Sequence, residues 1–538
     1  MIDLVISDAE LASVDKPELL ALVQSLRDEL AFKQKVIDKI THEMAVLKRL
    51  KFAATSEHFS PEQRSLLEET IDTDLAAAQA ELDKARAAAK AAAPADKEKP
   101  KRKPLPPELP RTEHRHEPEN TTCTCGCSMK RIGEDVSEKL DYAPGVFSVE
   151  RHVRGKWVCA DCETLVQAPV PPHVIDKGIP TSGLLAHVMI AKFIDHLPLY
   201  RQEKIFGRAG LAIPQSTLAD WVGTCGVQLQ PLVDALREEL LTHRILHADE
   251  TPVAMLKPGK GKTHRSYIWS YCTTSFDAVK AVIFDFTESR GGEHARDFLG
   301  IDTDTDTDVA GSGWRGTLVC DDYSGYKAAF AHGLIEAGCL AHARRKFYDL
   351  WATNRSAIAE EALEFFRLLY DVERDAQNLT SDERRRLRHE RATPIAKTLK
   401  DWLDAQRARV PDGSAIAKAI DYSRGRWPAL TRYLDDGDLP CDNNWVENQI
   451  RPIALGRSNW LFAGSLRAGK RAAAIMSLVH SARINGHDPH AYLKDVLERL
   501  PTQPASRIAE LLPHRWQTRG LQPTDHHDLP CHYLDRSC

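Results

Sequence analysis

The chain has 538 residues, 42% of them hydrophobic and 28% charged, with a formal net charge of −5. That length suggests about three or four domains with ordinary cores, and the composition excludes a wholly disordered or collagen-like protein. No apolar run reaches the ~18 residues of a membrane span, and the acidic start MIDLVISDAE lacks the basic and apolar regions of a secretory leader. A cytoplasmic protein that does not engage a membrane is expected. The charge balance rules out a protein basic all over but leaves room for a locally positive face.

Residues 15–93 are expected to form a coiled-coil, helical dimerisation segment. Leu19, Leu26, Ile40 and Leu47 share one heptad position, with Lys33 as its polar member; Val23, Leu30, Ile37 and Met44 share the other. Alternating steps of four and three make a coiled-coil seam, in which a polar residue can fix register or partner. A single amphipathic helix packed on its own domain has similar spacing. Residues 94–118 carry seven prolines among Lys and Arg and read as an extended linker.

Residues 119–168 hold five of the 12 cysteines: Cys123, Cys125 and Cys127 in CTCGC, and Cys159 and Cys162 in CADC. A Cys-x-x-Cys knuckle facing another Cys pair is how thiolates hold tetrahedral Zn²⁺. Four of the five suffice, and the two-residue spacing leaves open which of the first three ligate. The alternative is a module without metal. Within 180–240, RQEKIFGRAG, a turn at Gly210 and a second helix opening near Pro214 have the length of a DNA-binding helix-turn-helix. Helix pairs of this kind are also common in any helical protein.

From Arg244 the pattern turns to strands. RILHADETPVAML, HRSYIWSYCTT and AVKAVIFDFT precede a helix, GGEHARDFLG; GTLVCDDYSGYKAAF and GCLAHARRKFYDL are each a strand running into a helix. Three strands followed by alternating elements predict a mixed sheet with helices on its faces over 244–351. Residues 352–433 read as helical, 434–485 as the Glu-bearing part of the core, and 486–538 as a helical region and tail.

Three carboxylates stand where elements end in polar motifs: Asp249 in HADET, Asp321 in LVCDDYSGY and Glu447 in DNNWVENQIRP. Carboxylates converging from separate elements can hold two divalent ions, the arrangement suited to phosphoryl transfer; Mg²⁺ or Mn²⁺ would fit such oxygen donors. The plain alternative for any one of them is a cap or a surface charge. Beyond Glu447, residues 448–487 contain no Asp or Glu but do contain Arg451, Arg457, Arg467, Lys470, Arg471 and Arg483. HARRK adds Arg345 and Lys346. A strip of this kind suits a polyanion, which makes Arg451, Arg457, Lys470, Arg471, Arg345 and Lys346 the candidate DNA contacts.

HADETPV, DDYSGY, CLAHARRKF, LPLYRQE, NNWVENQIRPIALGRSNWLFAGS and GHDPHAYLKDVLERL together resemble the insertion sequence 66 family of transposases, with zipper, linker and Cys cluster in the same order. The resemblance covers about Leu19 to Leu500. It implies a DDE-type recombinase with a ribonuclease H-like catalytic core, in which Asp249, Asp321 and Glu447 match the family's Asp, Asp and Glu. Residues 352–433 are then a helical insertion between the second Asp and the Glu. The resemblance places the second Asp at Asp321 rather than Asp322. It implies DNA cleavage and strand transfer at element ends, pairing of copies through the coiled coil, and companion proteins of the same element. The rival reading is a zinc and helix-turn-helix regulator that binds DNA without cutting it.

Overall fold

The computed structural model describes residues 32–48, 61–89, 105–107, 109–118, 120–124, 127–143, 145–175, 178–256, 263–301 and 313–517. The heptad positions Leu19, Val23, Leu26 and Leu30, together with Cys125, lie outside the described residues.

A helix over residues 32–48 (α1) is followed by the 29-residue helix Pro61–Ala89 (α2). Val36, Ile37, Ile40 and Met44 pack against Ala78 and Leu82 of α2. In its described part, then, the heptad seam is covered by the chain's own next helix. It behaves as an amphipathic stripe packed within the chain.

Next comes a small sheet of β1 (Arg111–His116), β2 (Lys130–Ala143), β3 (Val146–Val158) and β4 (Leu165–Gln167). β2 and β3 form an antiparallel hairpin, β4 pairs antiparallel with β3, and β1 lies parallel to β3 from Arg111↔Val149 to His116↔Arg154. The end of the expected linker is therefore a strand. Its prolines pause after Pro110, so every residue from Arg111 to His116 can donate a backbone N–H, and an already extended chain can join a ladder edge.

Three helices lead to the main sheet: α3 (Ser182–Phe193), α4 (Leu199–Arg208) and α5 (Gln215–Leu240). The turn between α4 and α5 places Gly210 at φ +95°, where a side chain would be strained. α2 runs against α5 so closely that a Cβ on Gly223 would sit 2.4 Å from the Thr73 carbonyl oxygen.

The main sheet comprises β5 (Ile245–Leu256), β6 (Thr263–Cys272), β7 (Val282–Thr287), β8 (Thr317–Cys320) and β9 (Ile335–Gly338), in the order β7-β6-β5-β8-β9. β5 to β7 are antiparallel, while β8 is parallel to β5 and β9 to β8. Helix α6 (Gly292–Leu299) follows β7, and the short α7 (Lys327–Ala331) lies between β8 and β9. After β9 come α8 (Leu340–Asn354), the insertion helices α9 (Ala357–Asp375), α10 (Ser381–Leu387), α11 (Thr393–Arg407), α12 (Ala415–Gly425) and α13 (Trp427–Thr431), and then α14 (Asn444–Trp460), α15 (Leu466–Ile484) and α16 (Pro489–Arg499).

Each face of the central strands has its own core. Ile245, Val319 and Ala337 pack with the insertion helices, whereas Leu246, Ala248, Leu318 and Cys320 join the larger core on the other side. Fully buried Arg388 fastens the insertion: it pairs with Glu373 and donates to the carbonyls of Tyr433, Asp436 and Leu439. The outer edge of β7 is covered by α15, whose Ser477 and Ser481 hydroxyls accept from the N–H groups of Phe284 and Val282 at 2.8 and 3.0 Å. That satisfies an edge that would otherwise invite pairing with another chain. Among the described residues, no helix is long and apolar enough to cross a membrane.

Candidate active site and zinc centre

The last β5–β8 pair is His247↔Val319. Two residues further along each strand lie Asp249, still within β5, and Asp321, just past β8. Each thus stands two residues past the last pair, and side-chain alternation puts both towards the face that Ile245 and Val319 share. Glu447 arrives from the first turn of α14. Burial first, then the charges of Glu250, Glu447 and Asp321, push the Asp249 carboxyl well above its ordinary range. A buried carboxylate with acidic neighbours and hard oxygen donors fits a divalent cation, which would relieve the repulsion.

The acidic neighbours in sequence are occupied elsewhere. Asp322 accepts an ion pair from Arg426 at 2.7 Å, and Arg426 also pairs with Glu336. Asp321 instead accepts from its own turn, at 2.9 Å from the Tyr323 N–H. Glu250 is held by Arg290 Nε at 2.7 Å and by the Tyr326 hydroxyl at 3.0 Å.

One connection could not be read from the sequence. Asn443, fully buried just before α14, donates through Nδ2 to the Ala248 carbonyl at 2.8 Å. Its Oδ1 therefore faces His247 Nδ1, 2.8 Å away, and that nitrogen carries the hydrogen. Burial holds His247 below its ordinary pKa, which favours the neutral ring. Asn443 thus ties the strand residue next to Asp249 to the helix start that bears Glu447. Only the DNN motif hinted at it, as a helix start.

The basic candidates separate into groups. Arg451 is exposed one turn after Glu447. Arg345 Nη2 stands 3.9 Å from Glu447, and His342 Nδ1 stands 3.8 Å from it. Lys346 is exposed over the Tyr422 ring, and Lys470 is exposed. Arg457 is exposed but donates to the Pro252 carbonyl at 2.8 Å. Arg471 departs from the expectation of a DNA contact: it is 8% exposed and pairs with buried Asp74 of α2 at 2.8 Å. Arg467 likewise pairs with Glu43 and Glu81. Lack of acid within a segment does not leave its arginines free, because the acids can come from α1 and α2. On α4, Arg201, Lys204 and Arg208 are all exposed at spacings of three and four, a basic stripe the sequence reading passed over.

In the small sheet, the sulfurs of Cys123, Cys159 and Cys162 gather within 4.8 Å of one another. Cys123 and Cys162 Sγ are 3.0 Å apart. Cys127 packs beside them, and its carbonyl accepts from the Cys123 N–H at 2.9 Å. Converging thiols from two loops fit Zn²⁺.

Residues 177–471 match the family described as Transposase IS66 family, and residues 477–514 match the IS66 C-terminal element. Residues 120–163 match the zinc-finger binding domain of transposase IS66, and residues 39–113 match a family described as Transposase C of IS166 homeodomain. The protein is thus a DDE transposase, an enzyme that binds DNA and catalyses transposition. The chain belongs to the IS66 family, with a zinc-finger domain and a leucine-zipper segment ahead of its catalytic part. It is 34% identical over 404 residues to the uncharacterized protein y4jD of Sinorhizobium fredii (strain NBRC 101917 / NGR234), covering 72% of this chain and 77% of that one. It is 35% identical over 410 residues to the uncharacterized protein y4hP of the same strain, covering 72% of each.

Proposed function

We propose that Asp249, Asp321 and Glu447 are the catalytic carboxylates and the ligands of Mg²⁺ or Mn²⁺ during cleavage and joining of DNA at element ends. The observation that carries this reading is that Asp249 and Asp321 each lie two residues past the last β5–β8 pair, with Asp321 and Glu447 near enough to raise the Asp249 carboxyl. The strand order, three antiparallel strands followed by two parallel ones, supports a ribonuclease H-like core. The bound ions would activate the attacking oxygen and stabilise the leaving one. The protein's own part is positioning and charge. Asp249 and Asp321 fix the donor oxygens on rigid strands, and Asn443 holds the Glu447 helix in register with them. Arg451 and Arg345 supply positive charge beside the scissile phosphate, and Lys346, Lys470 and Arg457 steer the flanking backbone.

Zn²⁺ is held by Cys123, Cys159 and Cys162 with Cys125 or Cys127 as the fourth ligand. The α4–α5 pair reads element ends, with Arg201, Lys204 and Arg208 on phosphates. Two or more copies act together, in the cytoplasm, alongside proteins encoded by the same element. The test is a cleavage assay on labelled element-end DNA with Asp249→Asn, Asp321→Asn and Glu447→Gln. Each should bind DNA and fail to cut. A mutant that still cuts at the wild-type rate removes its residue from the set.

A further inference from the structure

One histidine has no task in that reading, although it faces one of the three carboxylates. His342 Nδ1 and Glu447 Oε1 are both shielded from solvent, and neither has a hydrogen-bond partner among the described residues. They face each other at 3.8 Å. That gap is too long for a hydrogen bond. It falls between the separations of two donors to one ion: with bonds of about 2.1 Å, adjacent octahedral positions put donors about 3 Å apart and opposite positions about 4.2 Å, so a shift of under about 1 Å seats both on one cation.

The separation is set by backbone rather than by attraction between the two side chains. His342 is in the first turn of α8 and Glu447 in the first turn of α14. The two helix starts are bound together by Leu340 N–H donating to the Cys441 carbonyl at 3.0 Å and by Asn443 N–H donating to Cys339 Sγ at 3.1 Å. Cys339 Sγ lies within 4.8 Å of both His342 and Glu447, but it is committed to that N–H and is a soft donor poorly matched to a hard cation.

We propose that His342 is a ligand of the divalent cation held by Glu447, so that this part of the site is a mixed imidazole and carboxylate centre. The proposal rests on the carboxylate reading above. Its chemical consequence is metal preference. Imidazole suits Mn²⁺ better than Mg²⁺, whose partners are oxygens. The site should therefore favour Mn²⁺ more strongly than a site of three carboxylates would.

The experiment titrates Mn²⁺ into the full-length, zinc-loaded protein and records pulsed electron paramagnetic resonance of the bound ion. The wild type should show ¹⁴N coupling from a directly bound imidazole. His342→Gln should lose that coupling and bind Mn²⁺ about tenfold or more weakly, with a smaller change for Mg²⁺. His342→Asp should restore Mn²⁺ binding without the nitrogen signal, which guards against a mere folding defect in the Gln variant. Absence of ¹⁴N coupling in the wild type, or its persistence together with wild-type Mn²⁺ affinity in His342→Gln, overturns the assignment. Coupling from histidines such as His116 and His152 in the small sheet would persist in this way. If Asp249→Asn and Glu447→Gln weaken Mn²⁺ binding while His342→Gln does not, only the histidine fails. If all three leave it unchanged, the carboxylate reading fails as well.

Discussion

The carboxylate site and the cysteine cluster both gather residues from distant parts of the chain, yet they are supported in opposite ways. Around Asp249 lie two large cores, one on each face of the sheet, and the fully buried pair His247 and Asn443. Around the cysteines, the packed residues are Met129, Trp157, Val166 and the cysteines themselves. On the proposed reading the first site is held by the sheet before any ion binds, with Glu250, Glu447 and Asp321 near enough to raise the Asp249 carboxyl. In the second, the sulfurs are a large part of what there is to pack. Losing the ion should silence the first site and loosen the fold of the second.

The strongest test of that contrast is charge removal. Asp249→Asn should abolish cleavage without unfolding the core. In magnesium-free buffer it should melt at or above the wild-type temperature, by up to about 2–4 °C for each ~1 kcal/mol of relieved repulsion. A collapsed core would break the comparison. Asp322→Asn, which loses only its pairing with Arg426, should still cut. On the other side, Cys159→Ser should release the zinc and expose residues 111–168 to limited proteolysis while the catalytic part keeps its melting transition, because structural zinc contributes directly to folding.

Smaller effects sharpen the contrast. Arg471→Ala leaves Asp74 buried without its cation and should destabilise the protein by about 3–5 kcal/mol without altering the salt dependence of DNA binding; a melting curve and a salt titration read the two. Asn443→Ala should slow cleavage about 10- to 100-fold, as loss of a residue that orients metal ligands does, with DNA affinity unchanged. Arg451→Ala should lower the salt slope of DNA binding by about one unit and leave the melting temperature where it is.

Much of the architecture was legible. Four strands of the main sheet fall in the predicted runs from RILHADETPVAML to GTLVCDDYSGYKAAF, because two-residue periodicity and polar strand ends are local signals; the last, Ile335–Gly338, ends at the first residue of GCLAHARRKFYDL, which is helix from Leu340. Of the proposed carboxylates, Asp249 and Asp321 drew notice in polar motifs that close strand patterns, and Glu447 in one that opens a helix. What escaped depends on partners far away in sequence. Arg471 looked like part of a DNA-facing strip until Asp74, nearly 400 residues earlier, neutralised it. The tie between Asn443 and Ala248 spans 195 residues, and nothing in either motif announces it. The strand at Arg111–His116 was hidden because proline-rich chain and an edge strand share one extended backbone. The heptads were visible, but not that Ile37, Ile40 and Met44 would be taken up by the chain's own α2.

The grip of the first helices on α15 also bears on how chains of this kind diversify. Glu43 and Glu81 take Arg467, Asp74 takes Arg471, and the Ser465 hydroxyl also donates to Asp74. The front of the protein is therefore no detachable cassette. A hybrid that takes its first ninety residues from one relative and the remainder from another inherits half a lock at residues 465–471, and it should be less stable than either parent unless both halves descend together.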